Sequence, residues 1–188
     1  MADKNFRTIW LKPDDASIVQ IIDQRRLPHE YHVLDLTTWH DGVVAICDMA
    51  VRGAPLIGAT AAWSLYLAAR VGDDLREAAR TLCDSRPTAV NLRWAVDRVM
   101  QAVDTAADKA ELADIVRAEA EAICAEDIDI CLGIGRHGLP LLEKISRRKN
   151  GGTVNVLTHC NAGALATINC GTATPPVYLE KHAALEVH

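Results

Sequence analysis

From Ala54 to Ala69 the chain carries no charged residue, and only Pro55, Gly58, Thr60 and Ser64 interrupt an otherwise apolar run. The run is too short and too mixed for a bilayer span, which takes about 20 predominantly apolar residues. It must therefore be buried by other parts of the same fold. Pro55 suits the first turn of a helix, and the Ala, Leu and Ile content of Leu56–Arg70 predicts a helix enclosed on nearly all sides. The rest of the chain has the composition to enclose it. At 188 residues, 49% hydrophobic and 24% charged, it fits one ordinary globular domain, or one domain and part of another. Such a domain buries roughly 70% of the surface of its unfolded chain.

Twenty Lys and Arg stand against 25 Asp and Glu, a formal charge of -5. No basic stripe is available to follow a phosphate backbone, so nucleic acid is not an expected partner. Met1–Trp10 contains Asp3, Lys4 and Arg7 and no apolar core of a secretory signal, and no segment reads as a membrane span, which predicts a cytoplasmic protein. Cys47, Cys83, Cys124, Cys131, Cys160 and Cys170 are widely spaced with no C-x-x-C pair, the pattern of reduced, mostly buried thiols.

Upstream of the apolar helix, Thr8–Leu11, Ser17–Ile22 and Tyr31–Leu36 are short, rich in β-branched and aromatic residues, and set off by turn signals at Pro13-Asp14-Asp15 and Leu27-Pro28-His29. They predict a small antiparallel meander. From Thr38 the period changes, with Val43, Ile46 and Met49 three apart, as in a helix ending near Arg52-Gly53. Downstream, helices are predicted over Asp74–Cys83, over Val90–Val103, and from Lys109 onward with a possible break near Gly133. Glu111, Asp114, Glu121, Asp127 and Asp129 read as the solvated face of that last helix and not as a metal site. Arg147–Gly152 is the best boundary signal, dividing 1–150 from 151–188. After it Thr153–Thr158 reads as a buried strand and Ala162–Cys170 as a small-residue helix, giving an α/β chain overall.

Three constellations carry chemistry. Gly133-Ile134-Gly135-Arg136-His137-Gly138 matches G-x-G-x-x-G, but an acidic helix leads into it instead of a strand, which favours glycines serving a helix break or close helix packing over a dinucleotide site. Arg52-Gly53-Ala54-Pro55 puts an arginine before a buried helix, where unpaired N–H groups and the helix dipole favour an anion. Arg86, in Ser85–Leu92, stands similarly before another helix. Anion site and ordinary loop arginines are both open readings. In Leu157–Gly163, Cys160 falls where a strand would pass into a helix, a setting that lowers a thiol pKa; a reactive thiol and a buried structural one both remain open. Strand alternation turns the adjacent His159 away from Cys160.

The motifs Arg52–Gly58, Ser85–Leu92 and Leu157–Thr167, in this order, resemble the successive signatures of the S-methyl-5-thioribose-1-phosphate isomerases. The resemblance runs from about Ile9 to about Tyr178. It extends to a superfamily with the regulatory alpha, beta and delta subunits of translation initiation factor 2B and an archaeal ribose-1,5-bisphosphate isomerase, so shared fold alone selects no activity. Thr158-His159-Cys160-Asn161 favours the isomerases, and Ala162–Thr167 the methylthioribose enzyme among them.

The resemblance implies an N-terminal mixed domain of β-meander and helical bundle, followed by the strand and helix that open a Rossmann-like domain, and a homodimer when complete. It implies conversion of 5-methylthioribose 1-phosphate to its ketose, 5-methylthioribulose 1-phosphate, in methionine salvage, with no metal or redox cofactor. Arg52, Gly53 and Ala54 would hold the substrate and its phosphate, Arg86 would bind it too, and Cys160 would assist the hydrogen shift or stabilise its transition state. The family's aspartate general acid is expected in a second half beyond His188, so the 188-residue chain alone is expected to be inactive. Pro175-Pro176, where the family usually has one proline, and Lys181–Ala184 depart from the pattern.

Overall fold

The computed structural model describes residues 6–108 and 111–180. The predicted helix start at Lys109 and the divergent Lys181–Ala184 lie outside the described residues. Strands β1 (Ile9–Leu11), β2 (Val19–Ile22) and β3 (Val33–Leu36) form the expected antiparallel meander, in the order β1-β2-β3. Register follows from side-chain chemistry. Ile9 pairs with Ile21 and Val19 with Leu36 on the face that joins the core. On the other face Trp10, Gln20 and Asp35 lie opposite one another. There the Trp10 indole donates to Gln20 Oε1 at 2.7 Å and Gln20 Nε2 donates to Asp35 Oδ1 at 2.7 Å.

Six α-helices follow among the described residues: α1 (Trp39–Cys47), α2 (Ala54–Val71), α3 (Leu75–Ser85), α4 (Val90–Thr105), α5 (Leu112–Arg148) and α6 (Pro175–Glu180). Helix α2 is the axis of the bundle, buried without interruption from Leu56 to Ala68 and packed against α1, α3, α4 and α5. Thr60 and Ser64 are satisfied within the helix, Thr60 Oγ1 donating to Leu56 O and Ser64 Oγ to Thr60 O, both at 2.7 Å. Small residues set the helix crossings. A Cβ on Gly42 would overlap the Ser64 side chain, and one on Gly58 would come within 2.9 Å of Asn91 O. Thr38 caps α1 in a reciprocal box with Asp41, and Asp74 caps α3. No helix among the described residues is long and apolar enough to cross a membrane.

Four expectations are corrected. Helix α1 ends at Cys47, not near Gly53, because Met49 turns left-handed at φ 58° and sends Ala50 and Val51 into the core. Helix α5 runs through Gly133 and Pro140 without a break. Its glycines serve packing instead. A Cβ on Gly135 would lie 2.9 Å from Pro175 Cβ, and one on Gly138 would press on Pro176, so α6, which starts at the double proline, sits in this notch. Thr153–Thr158 is not a buried strand. Only Val154 makes a bridge and is buried, while Leu157 is 98% exposed. A buried parallel strand needs neighbouring strands and cover on both faces, and nothing among the described residues covers Leu157. Ala162–Cys170 forms a single 3-10 turn, Ala164–Ala166, and not a helix, because its backbone groups are taken up by long-range partners.

Candidate active site

Those long-range partners build the site. Beyond the exposed residues 155–161, Ala166, Thr167, Ile168, Asn169 and Cys170 thread back into the first part of the chain and are buried. Thr8 secures them from the sheet side: its N–H donates to Ile168 O at 3.1 Å and its hydroxyl to Thr167 O at 2.6 Å. From α5, Asp127 Oδ2 accepts the Ile168 N–H at 2.9 Å. Within the strap itself, the Gly171 N–H donates to Thr167 Oγ1 at 2.8 Å.

Two loops meet this strap. Gln24, just past β2, donates its backbone N–H to Ala50 O at 2.9 Å and its side-chain amide to Leu165 O at 2.7 Å. Gly53, the residue before α2, has φ 98° and lies so close to Ala166 that a Cβ there would be 2.6 Å from Ala166 Cβ. Glycine is therefore required at position 53 for both its backbone angle and its contact.

Between these elements lies a depression of about 550 Å³, walled by Leu27 and Pro28 and carrying Gln24, Arg52, Cys160 and Asn161. Arg52, Cys160 and Asn161 are exposed, so the depression opens to solvent. Arg52 makes no ion pair with a described residue, and no side chain caps α2 beside it. A guanidinium fork thus stands just ahead of an uncapped helix N-terminus, with a thiol lining the same cavity from the opposite element. Cys160 adopts φ 68°. That left-handed conformation costs a non-glycine residue roughly 1–2 kcal/mol. The adjacent loop is held by Ala162 O, which accepts the Thr172 N–H at 3.2 Å.

The structure brings Arg52, Gly53 and Cys160 together, with Ala54 exposed at the start of α2. It does not bring Arg86 into the cavity. Arg86 ends α3, half-buried, next to Ser85, whose carbonyl lies 3.7 Å from the Cys47 thiol of α1. His159 is exposed and does not line the cavity. The helix N-terminus expected to follow Cys160 is absent, so the thiol stands out by exposure and not by a helix dipole.

Three contributors were missed from the sequence. Gln24 and Asn161 carry no pattern of their own. Asp127, read as part of a solvated face, is half-buried. Burial pushes its carboxyl up from the usual carboxylate range, partly offset by the Ile168 N–H and the Cys131 thiol. Its signal was spacing: Ile123, Asp127 and Cys131 fall four apart, on the buried stripe of α5.

A family model described as the initiation factor 2 subunit family matches residues 50–180. The chain belongs to that family. Among its curated relatives, the methylthioribose-1-phosphate isomerase of Desulfosudis oleivorans is 48% identical over 97% of this chain and 51% of the relative. The enzyme of the same name from Methylocella silvestris is 49% identical over 98% of this chain and 51% of its own length. The chain thus spans about half the length of the curated relatives it matches. Two solved structures share the fold of this family member. The 5-methylthioribose 1-phosphate isomerase of Pyrococcus horikoshii has a TM-score of 0.80 and 34% identity, covering 97% of this chain and 51% of that one. The translation initiation factor eIF-2B subunit delta from A. fulgidus has 0.81 and 32%, covering 98% and 53%. The fold accommodates both names equally, so the reading of function rests on the site.

Proposed function

We propose that this chain is the N-terminal portion of an aldose–ketose isomerase that converts 5-methylthioribose 1-phosphate to 5-methylthioribulose 1-phosphate in methionine salvage. The observation that carries the reading is the cavity lined by both Cys160 and Arg52, which stands just ahead of the uncapped α2. Arg52 and the Gly53–Ala54 backbone would bind the phosphate, Arg86 would reach it when the site is complete, and Cys160 would assist transfer of hydrogen between the adjacent carbons. A sugar whose anomeric oxygen carries phosphate cannot open as a free aldose does, so the reaction needs both a fixed phosphate and a group beside the reacting carbons. Residues 1–150 would form the first domain. The chain from 151 would begin a Rossmann-like second domain whose further strands flank Thr153–Thr158 and whose aspartate supplies the general acid. The complete protein would be a cytoplasmic homodimer with a small phosphorylated sugar, and no nucleic acid, as its partner.

A non-catalytic regulatory subunit is the competing reading, favoured by the equal likeness to an eIF-2B subunit. The exposed Cys160 beside Arg52 argues against it. The discriminating assay follows ketose formation from 5-methylthioribose 1-phosphate by the chain extended to the length of its relatives, beside the 188-residue chain. Turnover by the extended protein, at least tenfold above the 188-residue chain, supports the reading; an extended protein that binds the sugar phosphate without turning it over supports the regulatory one.

A further inference from the structure

We infer that Asp127 is a positioning residue for the Cys160 wall of the cavity, acting through the strap of residues 164–171. The inference rests on the cavity being the sugar-phosphate site proposed above, but its structural half is independent of that reading.

The strap follows the exposed stretch that carries Cys160, runs into the core and is gripped from three sides. Thr8 takes two of its carbonyls, Gln24 takes Leu165 O, and Gly53 abuts Ala166. Thr8 and Gln24 are donors, so each leaves the strap's own N–H groups unfilled. Asp127 is the side chain of the bundle that answers one of them, accepting the Ile168 N–H at 2.9 Å across 41 residues of sequence. Its other oxygen lies 3.9 Å from the Cys131 thiol, one turn on along α5. Asp127 also lines a groove of about 410 Å³ with Pro55, Gly58 and Asn91, which brings it close to the start of α2 as well as to the strap. A carboxylate oxygen on a backbone N–H forms a charge-assisted bond, stronger and more directional than a neutral one. Burial pushes the Asp127 carboxyl up, and the Ile168 N–H and the Cys131 thiol that face it offset part of that rise.

The two walls of the cavity depend on Asp127 unequally. Arg52 belongs to the loop before α2, which has fastenings of its own, the Gln24 N–H on Ala50 O and the burial of Ala50 and Val51 in the core. Cys160 lies in the exposed stretch just ahead of the strap, and the Thr172 N–H on Ala162 O ties that stretch back to the segment that Asp127 fixes. Loss of the bond loosens the wall that carries the thiol and leaves the phosphate wall in place. In an isomerase this predicts a fall in kcat with little change in KM.

The test compares Asp127→Ala with Asp127→Asn, which keeps an acceptor oxygen. In the 188-residue chain and in the chain extended to the length of its relatives, amide hydrogen exchange is read at 166–171 against the α2 amides as internal reference. In Asp127→Ala the strap amides should exchange at least tenfold faster relative to α2, and in Asp127→Asn less than threefold faster. In the extended protein kcat should fall at least tenfold in Asp127→Ala with KM within threefold of wild type, and Asp127→Asn should restore most of it. Strap exchange that rises only in step with α2 would mean a general loss of stability and would overturn the inference. So would full kcat in a folded Asp127→Ala protein. A wild-type extended protein that does not turn over the sugar phosphate defeats the functional reading alone, and the exchange ratio then decides the role of Asp127.

Discussion

Substituting Gly53 by alanine tests the contact that joins the two cavity walls. Two separate penalties apply. At φ 98° and ψ 138° the residue lies where side chains are rarely found, which costs roughly 1–3 kcal/mol. The new Cβ would also overlap the Cα and carbonyl of Ala166 and sit 2.6 Å from its Cβ. Forcing a methyl into packed structure costs roughly 1–3 kcal/mol more. Reduced freedom of the unfolded chain returns only about 0.4–1 kcal/mol. The net loss is about 1–5.5 kcal/mol. For a chain of this size 1 kcal/mol moves Tm by roughly 2–4 °C, so the expected drop is about 2–22 °C. Two glycines separate the terms. Gly72 has φ 80° with nothing within 4 Å, so Gly72→Ala carries the backbone penalty alone, about 1 kcal/mol. Gly133 lies inside α5 with open space around it, so Gly133→Ala should stabilise by about 0.8–1 kcal/mol through helix propensity. Thermal unfolding of the three variants by circular dichroism gives the order. If Gly53→Ala lost no more than Gly72→Ala, the close contact with Ala166 would be wrong, and with it the construction of the cavity.

Asp23 is buried beside the cavity loop, and the Arg25 side chain, donating at 2.8 Å to each of its oxygens, holds its carboxyl below the usual carboxylate range. Because the folded value is depressed, the unfolded chain binds the extra proton; the pair's contribution is complete above about pH 4, the ordinary carboxylate value, and is lost as pH falls through the folded one. Asp23→Asn should cost roughly 1.5–3 kcal/mol at neutral pH, and the deficit should shrink on acidification; a deficit constant with pH contradicts the pairing. Alkylation followed cysteine by cysteine at neutral pH should find Cys47 and Cys160 fast, since both are exposed. Burial pushes Cys124 up to about 11 and Cys131 up to about 12, and raises Cys83 and Cys170, so these four should react at least tenfold more slowly. Equal rates at Cys131 and Cys160 would contradict the threading of the strap into the core.

Much of the first part of the fold was legible because it depends on local pattern. The meander shows in alternation, and α2 in an uncharged run that nothing but burial explains. Arg52 stood out for a local reason too, an arginine ahead of an uncapped helix. The strap did not. Thr153–Thr158 has the β-branched composition of a strand, yet strands exist only in pairs, and propensity says nothing about whether partners are present. Ala162–Cys170 has the small residues of a helix, but Thr8, Gln24 and Asp127 claim its backbone from far away in sequence. Asp127 was hidden among acidic neighbours for the same reason, since a single long-range N–H turns a surface carboxylate into a half-buried one. The glycines of α5 read equally as a helix break or as close packing, and only the structure decides for packing, because the helix that fills them, α6, starts at prolines that read only as a disturbance.

The central claim is that Arg52 and Cys160 belong to one sugar-phosphate site. It is tested most directly by protection of Cys160 from alkylation in the chain extended to the length of its relatives. Saturating 5-methylthioribose 1-phosphate should slow alkylation of Cys160 at least tenfold while leaving Cys47 at its original rate. In Arg52→Ala, where a charge-assisted phosphate contact worth roughly 1.5–3 kcal/mol is lost, about tenfold or more additional ligand should be needed for the same protection. Cys160 alkylated at an unchanged rate under saturating ligand, or protected equally well at the same ligand concentration without Arg52, would contradict the account.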